Sequence, residues 1–151
     1  MDTTLAEFDI KSHFPDIEFG KFRVTSDATP QYNCIAWAAG ENHRYWWPDS
    51  QYYWPSLVPR KRSVEAFVQA FGLLGYVTCP DSGLEPEFEK IAIFVGFSGT
   101  PTHAARQLED GNWTSKLGQS YDISHILEQV GGNKGHGYGR IVVYMKRPRQ
   151  G

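Results

Sequence analysis

The stretch Ile91-Ala92-Ile93-Phe94-Val95-Gly96-Phe97 most limits what this chain can become. It is a nearly continuous apolar run of strand length. Such a run reads as a central strand covered on both faces. The residues after it fit a sheet. Ser98-Gly99-Thr100-Pro101 is a turn and Thr102 to Leu108 a second strand. Asp110-Gly111 is a hairpin signal, read as a two-residue turn, and Trp113 to Leu117 returns from it. Tyr138 to Met145 closes the chain as a last strand, after a glycine-rich loop at Gly131 to Gly137. Between them, Asp122 is placed to cap a helix holding Ile123, Ile126, Leu127 and Val130.

The first half is more helical. Leu5, Phe8 and Ile10 suit a short helix that ends before Pro15, and Lys21 to Thr25 alternates as a short strand would. Val64, Phe67, Val68, Phe71 and Leu74 form one apolar stripe at helical spacing, with Ser63 as N-cap and Gly75 as stop. Tyr76 to Cys79 reads as a strand. Helices come first and an antiparallel sheet afterwards, so the expected class is α+β. With 151 residues, a single domain over 1–151 is expected.

A net charge of -2 gives no basic footprint for nucleic acid. The N-terminus lacks a basic region and an apolar core, so no secretory signal is read, and no apolar run has membrane-spanning length. Two cysteines, Cys34 and Cys79, make no disulfide framework. A reducing cytoplasm is the expected setting, although an effector exported without a signal peptide would look the same. No histidine or cysteine pair has metal-ligand spacing, so neither metal nor organic cofactor is expected.

Cys34 follows Thr29-Pro30 and Asn33, and precedes the helix-favouring Ile35-Ala36-Trp37-Ala38. Asn33 is a good N-cap, which makes Cys34 the first helical residue. A thiol there faces the positive end of the helix dipole, and that favours thiolate. A small buried apolar residue is the plain alternative. His103 heads the strand after the turn, beside the small Ala104 and Ala105. A cysteine at a helix start and a later histidine at the head of a hairpin are what a thiol hydrolase needs.

Glu41 to Pro55 has no clean period and carries Tyr45, Trp46, Trp47, Tyr52, Tyr53 and Trp54. It reads as a long ordered loop packed by its own rings. Trp46, Trp47 and Trp54 either lie buried or wall a substrate cleft by stacking on a peptide or sugar. Pro59-Arg60-Lys61-Arg62 reads as a solvated approach to the next helix.

Three motifs carry a resemblance. Tyr32-Asn33-Cys34-Ile35-Ala36-Trp37-Ala38 resembles the cysteine motif of papain-like enzymes, including the NlpC/P60 and CHAP amidases. Pro101-Thr102-His103-Ala104 with Asp110-Gly111-Asn112-Trp113 is similar to the histidine hairpin of papain-like and transglutaminase-like proteins. Gly137-Tyr138-Gly139-Arg140-Ile141-Val142 resembles their closing strand. The whole chain also resembles a family of bacterial domains sharing Cys-Ile-Ala-Trp-Ala and Thr-His-Ala-Ala-Arg-Gln-Leu, to which no activity is attached.

The papain-like resemblance implies N-terminal helices with the cysteine helix packed on a small antiparallel sheet. It implies a peptidase or amidase in which Cys34 attacks an amide carbon and His103 is base and then acid. The substrate would be a peptide, a protein or a peptidoglycan-like amide. Gln31 would join the Cys34 N–H as an oxyanion donor. An orienting partner for His103 is required, and a two-residue turn offers Lys116, which cannot accept a proton. Ser115, Gln119 and Asp122 are the nearby acceptors, with Gln119 favoured because its amide oxygen matches that of Asn. Two alternatives stand beside this reading: an acyltransferase or deamidase like transglutaminases, and a non-catalytic binding protein that uses the aromatic loop 45–54.

Overall fold

The computed structural model describes residues 4–15, 17–18, 20–117, 120–131 and 137–149. Among these, the elements in chain order are α1 (Thr4–His13), β1 (Phe22–Ser26), α2 (Cys34–Ala38), α3 (Val64–Gly72), β2 (Val77–Cys79), β3 (Phe88–Val95), β4 (Pro101–Gln107), β5 (Trp113–Lys116), β6 (Asp122–His125) and β7 (Arg140–Pro148). A 3-10 turn spans Leu127–Val130.

The seven strands form one antiparallel sheet in the order β1-β6-β5-β4-β3-β7-β2. Phe97 of the apolar run falls outside the strand and is exposed, while Ile91 to Val95 form the C-terminal part of β3, which lies inside the sheet between β4 and β7. Its side chains alternate between two separate cores. Ile91 and Ile93 join Ala104 and Met145 under α2, α3 and the aromatic loop. Ala92 and Phe94 join Ala105, Trp113 and Ile123 under α1. A strand buried on both faces needs apolar residues on both, and that is why Ile91 to Val95 of β3 show no alternation.

α3 forms where the stripe predicted it. Ser63 accepts from the Ala66 N–H at 3.2 Å, and Phe67 and Phe71 are sealed beneath it. The Arg60 and Arg62 side chains turn back onto the aromatic loop. Arg62 grips the Asp49 carboxylate through two bonds of 3.1 and 2.6 Å, and Arg60 donates to the carbonyls of Asp49 and Tyr52. The basic cluster therefore clamps the loop as well as facing solvent.

Two expectations are corrected. The papain-like α+β arrangement, with helices gathered ahead of a small sheet, is not what the chain forms. The fold is dominated by the seven-stranded sheet, and α2 is only 5 residues long. Second, the helix expected from Asp122 is instead β6 followed by the 3-10 turn. Ile123 lies on the sheet between Val24 of β1 and Ser115 of β5. Pairing on both edges satisfies backbone groups that an isolated helix would have to satisfy alone, so tertiary context overrides local propensity.

Among the described residues, no helix is long and apolar enough to cross a membrane.

Candidate functional site

The site is built from Asn33 outwards. Its side chain accepts from the Ala36 N–H at 3.2 Å, capping α2 as the sequence predicts. The same oxygen accepts from the Trp46 N–H at 3.0 Å, and its amide donates to the Trp46 carbonyl at 2.7 Å. One buried amide thus fixes both the start of the cysteine helix and the aromatic loop. Asn33→Ala is expected to cost about 2 kcal/mol, of which the lost cap is about 1 and the orphaned Trp46 groups the rest. Denaturant midpoints of the two proteins measure it.

The loop then turns Tyr45, Trp47, Asp49 and Tyr52 over the Cys34 sulfur. With Tyr138 from the end of the glycine-rich segment they line a cleft of about 300 Å³, floored by Asn33, Cys34 and Thr102. Tyr45 and Tyr52 lean on each other with centroids 4.5 Å apart. Trp47 is backed by Phe67 at 5.6 Å, edge to face. Trp46 and Trp54 do not reach the cleft. They are 2% and 3% exposed, and their indole N–H groups are spent on Glu41 and the Pro59 carbonyl. Of the three tryptophans expected to wall a cleft only Trp47 lines it; Tyr45 and Tyr52 belong to the loop 45–54 of the binding alternative, and Tyr138 lies outside every expected site.

Beyond Arg106↔Thr114 the ladder between β4 and β5 stops, and α2 is seated against both strands. Cys34 Sγ points to the Thr102 carbonyl at 4.0 Å, and Trp37 Nε1 donates to Thr114 Oγ1 at 2.9 Å. Burial pushes the Cys34 thiol up to about 11. Hydrogen bonding to backbone N–H groups, including that of Ala104, and the charge of Lys116 oppose that rise and do not overcome it. The helix-start effect expected to favour thiolate is present and loses to desolvation.

His103 is on the other face. It pairs with Phe94 across β3 and β4, and cross-strand partners share a face. Phe94 belongs to the core under α1, whereas Cys34 belongs to the core under α2. No hydrogen bond joins Cys34 to His103. The imidazole is fully buried, stacked on Tyr138 at 3.9 Å and 2°, with Phe94 edge-on at 5.3 Å. Its Nε2 meets Ser115 Oγ at 2.8 Å, and that oxygen meets His125 Nε2 at 2.7 Å. His125 Nδ1 faces the Ile126 carbonyl at 2.7 Å. A carbonyl only accepts, so His125 carries its proton on Nδ1. Ser115 then donates to His125 and accepts from His103 Nε2–H. This leaves His103 Nδ1 as a bare lone pair, and it is a buried atom without a partner. Burial, and secondly the neighbouring His125, hold His103 well below its usual range.

Ser115, one of three acceptors considered, is therefore the partner of His103. Gln119 lies outside the described residues. Gln31 is exposed, and its backbone N–H bonds Thr29 Oγ1 at 3.2 Å. The group that does share the face of Cys34 is Lys116, fully buried between the Ser120 carbonyl, to which it donates, and the Tyr32 ring at 5.2 Å. Tyr32 in turn donates to Asp122 Oδ2, as does Ser26. A second cavity of about 570 Å³ lies against α1 and shares Tyr138 with the cleft. It is larger and has Phe14, Tyr121 and Tyr138 in its walls, but it does not hold the thiol. Among the described residues no group of three or more His, Cys, Asp or Glu side chains gathers as metal ligands do.

No curated protein and no solved structure matches the chain. Residues 23–146, which take in α2, the aromatic loop and nearly all of the sheet, match the family described as Domain of unknown function (DUF7689), and the chain belongs to that family.

Proposed function

We propose that this is a ligand-binding domain and that the cleft over Cys34 is its binding site. The observation that carries this reading is the convergence of Tyr45, Trp47, Tyr52 and Tyr138 on one 300 Å³ space. That volume is at the small end of ligand sites, which are concave, largely apolar and walled by aromatic side chains. The walls are fixed in advance by Asn33, Phe67 and Arg62, so little ordering cost falls on the ligand. The two free thiols fit a reducing compartment.

Amide hydrolysis by Cys34 and His103 needs a thiol and an imidazole in one space, and the sheet stands between them. A second reading, thiol-dependent acyl chemistry, is favoured by one observation: Lys116 shares the face of Cys34 and its charge favours thiolate. Iodoacetamide labelling near neutral pH separates the two. In the binding domain Cys34 reacts more slowly than the partly exposed Cys79, because a thiol raised from 9 to about 11 holds about 100-fold less thiolate. Labelling of Cys34 ahead of Cys79, slowed by Lys116→Met, would install thiol chemistry instead.

A further inference from the structure

We infer that the cleft takes an uncharged ring bearing hydroxyl groups, a pyranose sugar. This rests on the binding reading and names its ligand class. The polar groups of the lining fall into two sets. One set is already used. The Asn33 amide is spent on Ala36 and Trp46, and the Thr102 hydroxyl donates to the Tyr138 carbonyl at 2.5 Å. The Asp49 carboxylate is held in the two-bond fork of Arg62. The other set is open. Among the described residues the phenol groups of Tyr45, Tyr52 and Tyr138 make no hydrogen bond, and all three line the cleft. Burial raises the Tyr45 and Tyr138 phenols, so both remain neutral donors.

The cleft therefore offers ring faces and neutral hydroxyls, and among the described residues its one lining charge, Asp49, is already balanced. A cation is poorly served. Asp49 is neutralised, and the Arg62 guanidinium already stands 6.0 Å from the Trp47 ring. A sugar ring presents what is left over to match: an apolar C–H face for stacking, and hydroxyls that accept from phenols. The tilted Tyr45–Tyr52 pair, 4.5 Å between centroids, forms a ledge on one side and Trp47 a wall beside it.

Saturation-transfer NMR and tryptophan fluorescence, applied to the whole chain, test this with three sets of probes. The first is N-acetylglucosamine, maltose and cellobiose. The second is choline, a compact cation. The third is a set of neutral and lysine-rich hexapeptides. The expected result is saturable binding of at least one of the neutral sugars, weakened about 10-fold by Trp47→Ala, the loss of one stacking wall. Because Trp47 rests on the core, Tyr52→Ala is the second variant. Tyr52 is 38% exposed, and its truncation leaves the fold intact while weakening the same sugar. Sugar binding that neither variant weakens overturns the inference, because the sugar then sits elsewhere. Choline or a peptide bound in the cleft, with no sugar bound, overturns the sugar assignment and keeps the binding domain. No probe of any set perturbing Trp47 overturns both.

Discussion

Phe67→Ala is expected to destabilise the protein by about 3–5 kcal/mol, the range for truncating a fully buried phenylalanine, and to disable the cleft with it. Phe67 is 0% exposed and lies under the aromatic loop. It meets Trp54 at 5.1 Å and Trp47 at 5.6 Å, so the cavity left by its ring opens directly behind the Trp47 wall. The loop has no ladder to either side. Its order rests on this contact, on Asn33, on the Arg60 and Arg62 clamps, and on an internal bridge in which the Trp47 N–H bonds the Tyr53 carbonyl and the Tyr53 N–H the Tyr45 carbonyl. Removing the ring under it should therefore move tryptophan emission toward longer wavelength in the native state, before any unfolding. Gln69→Ala on the exposed side of α3 should change stability by no more than about 0.5 kcal/mol. Guanidinium titrations of the three proteins give the comparison. A Phe67→Ala protein within about 1 kcal/mol of wild type would mean that the loop is held from elsewhere and that the cleft walls are not preorganised.

What could be read from the sequence was whatever local chemistry decides. Ser63 and the stripe behind it placed α3, and Asn33 placed the start of α2, because a cap and its helix are neighbours in the chain. The apolar run placed β3. What failed depends on partners far along the chain. The hairpin after β4 is the telling case. A two-residue turn at Asp110-Gly111 would set His103 across from Gly118 and bring Lys116 to its face. Instead Leu108 N–H bonds the Asn112 carbonyl at 2.7 Å, closing a loop one residue longer, and Gln107 pairs with Trp113. That shift of one residue reverses every side chain of the returning strand. Ser115 arrives at His103, and Lys116 passes to the side of Cys34. The same alternation separates the thiol from the imidazole, since neighbouring residues of β4 face opposite cores and His103 takes the side away from α2. The cysteine and histidine motifs were legible, but their relative face was not. The aromatic loop was likewise legible as an ordered loop, while the choice of lining rings followed from which indoles found partners inside.

Acid should unfold this protein from the side of the sheet that carries the histidines. Burial lowers His125 from 6.5 to about 4, partly offset by its bond to the Ile126 carbonyl, and burial with the neighbouring His125 holds His103 well below its ordinary value. Both are neutral in the fold and bind a proton readily only when the chain is open. The unfolded state therefore takes up protons first as pH falls, and linkage makes stability drop. The contribution is complete above pH 6.5 and is lost as pH falls toward about 4. For His125 alone the loss is on the order of 3 kcal/mol, and His103 adds to it. Charge cannot be accommodated by rearranging the chain of bonds. A proton on His125 Nε2 would displace the donation from Ser115, and a proton on His103 Nδ1 would point a cation into a space bounded by Phe94 and Tyr138. Among the described residues, the groups bonded to or stacked on this pair are Ser115, Tyr138 and the Ile126 carbonyl, and none of these three supplies a negative charge. Denaturant unfolding measured from pH 8 to pH 4 should show the fall beginning near 6.5. His125→Gln should be less stable at pH 8, because one amide cannot reach both the Ser115 hydroxyl and the Ile126 carbonyl, and should show a shallower slope below pH 6.5. An equal slope in that variant would assign the acid sensitivity to carboxylates such as Asp81 and Glu85, which pair with Lys90 and whose protonation sets in at lower pH.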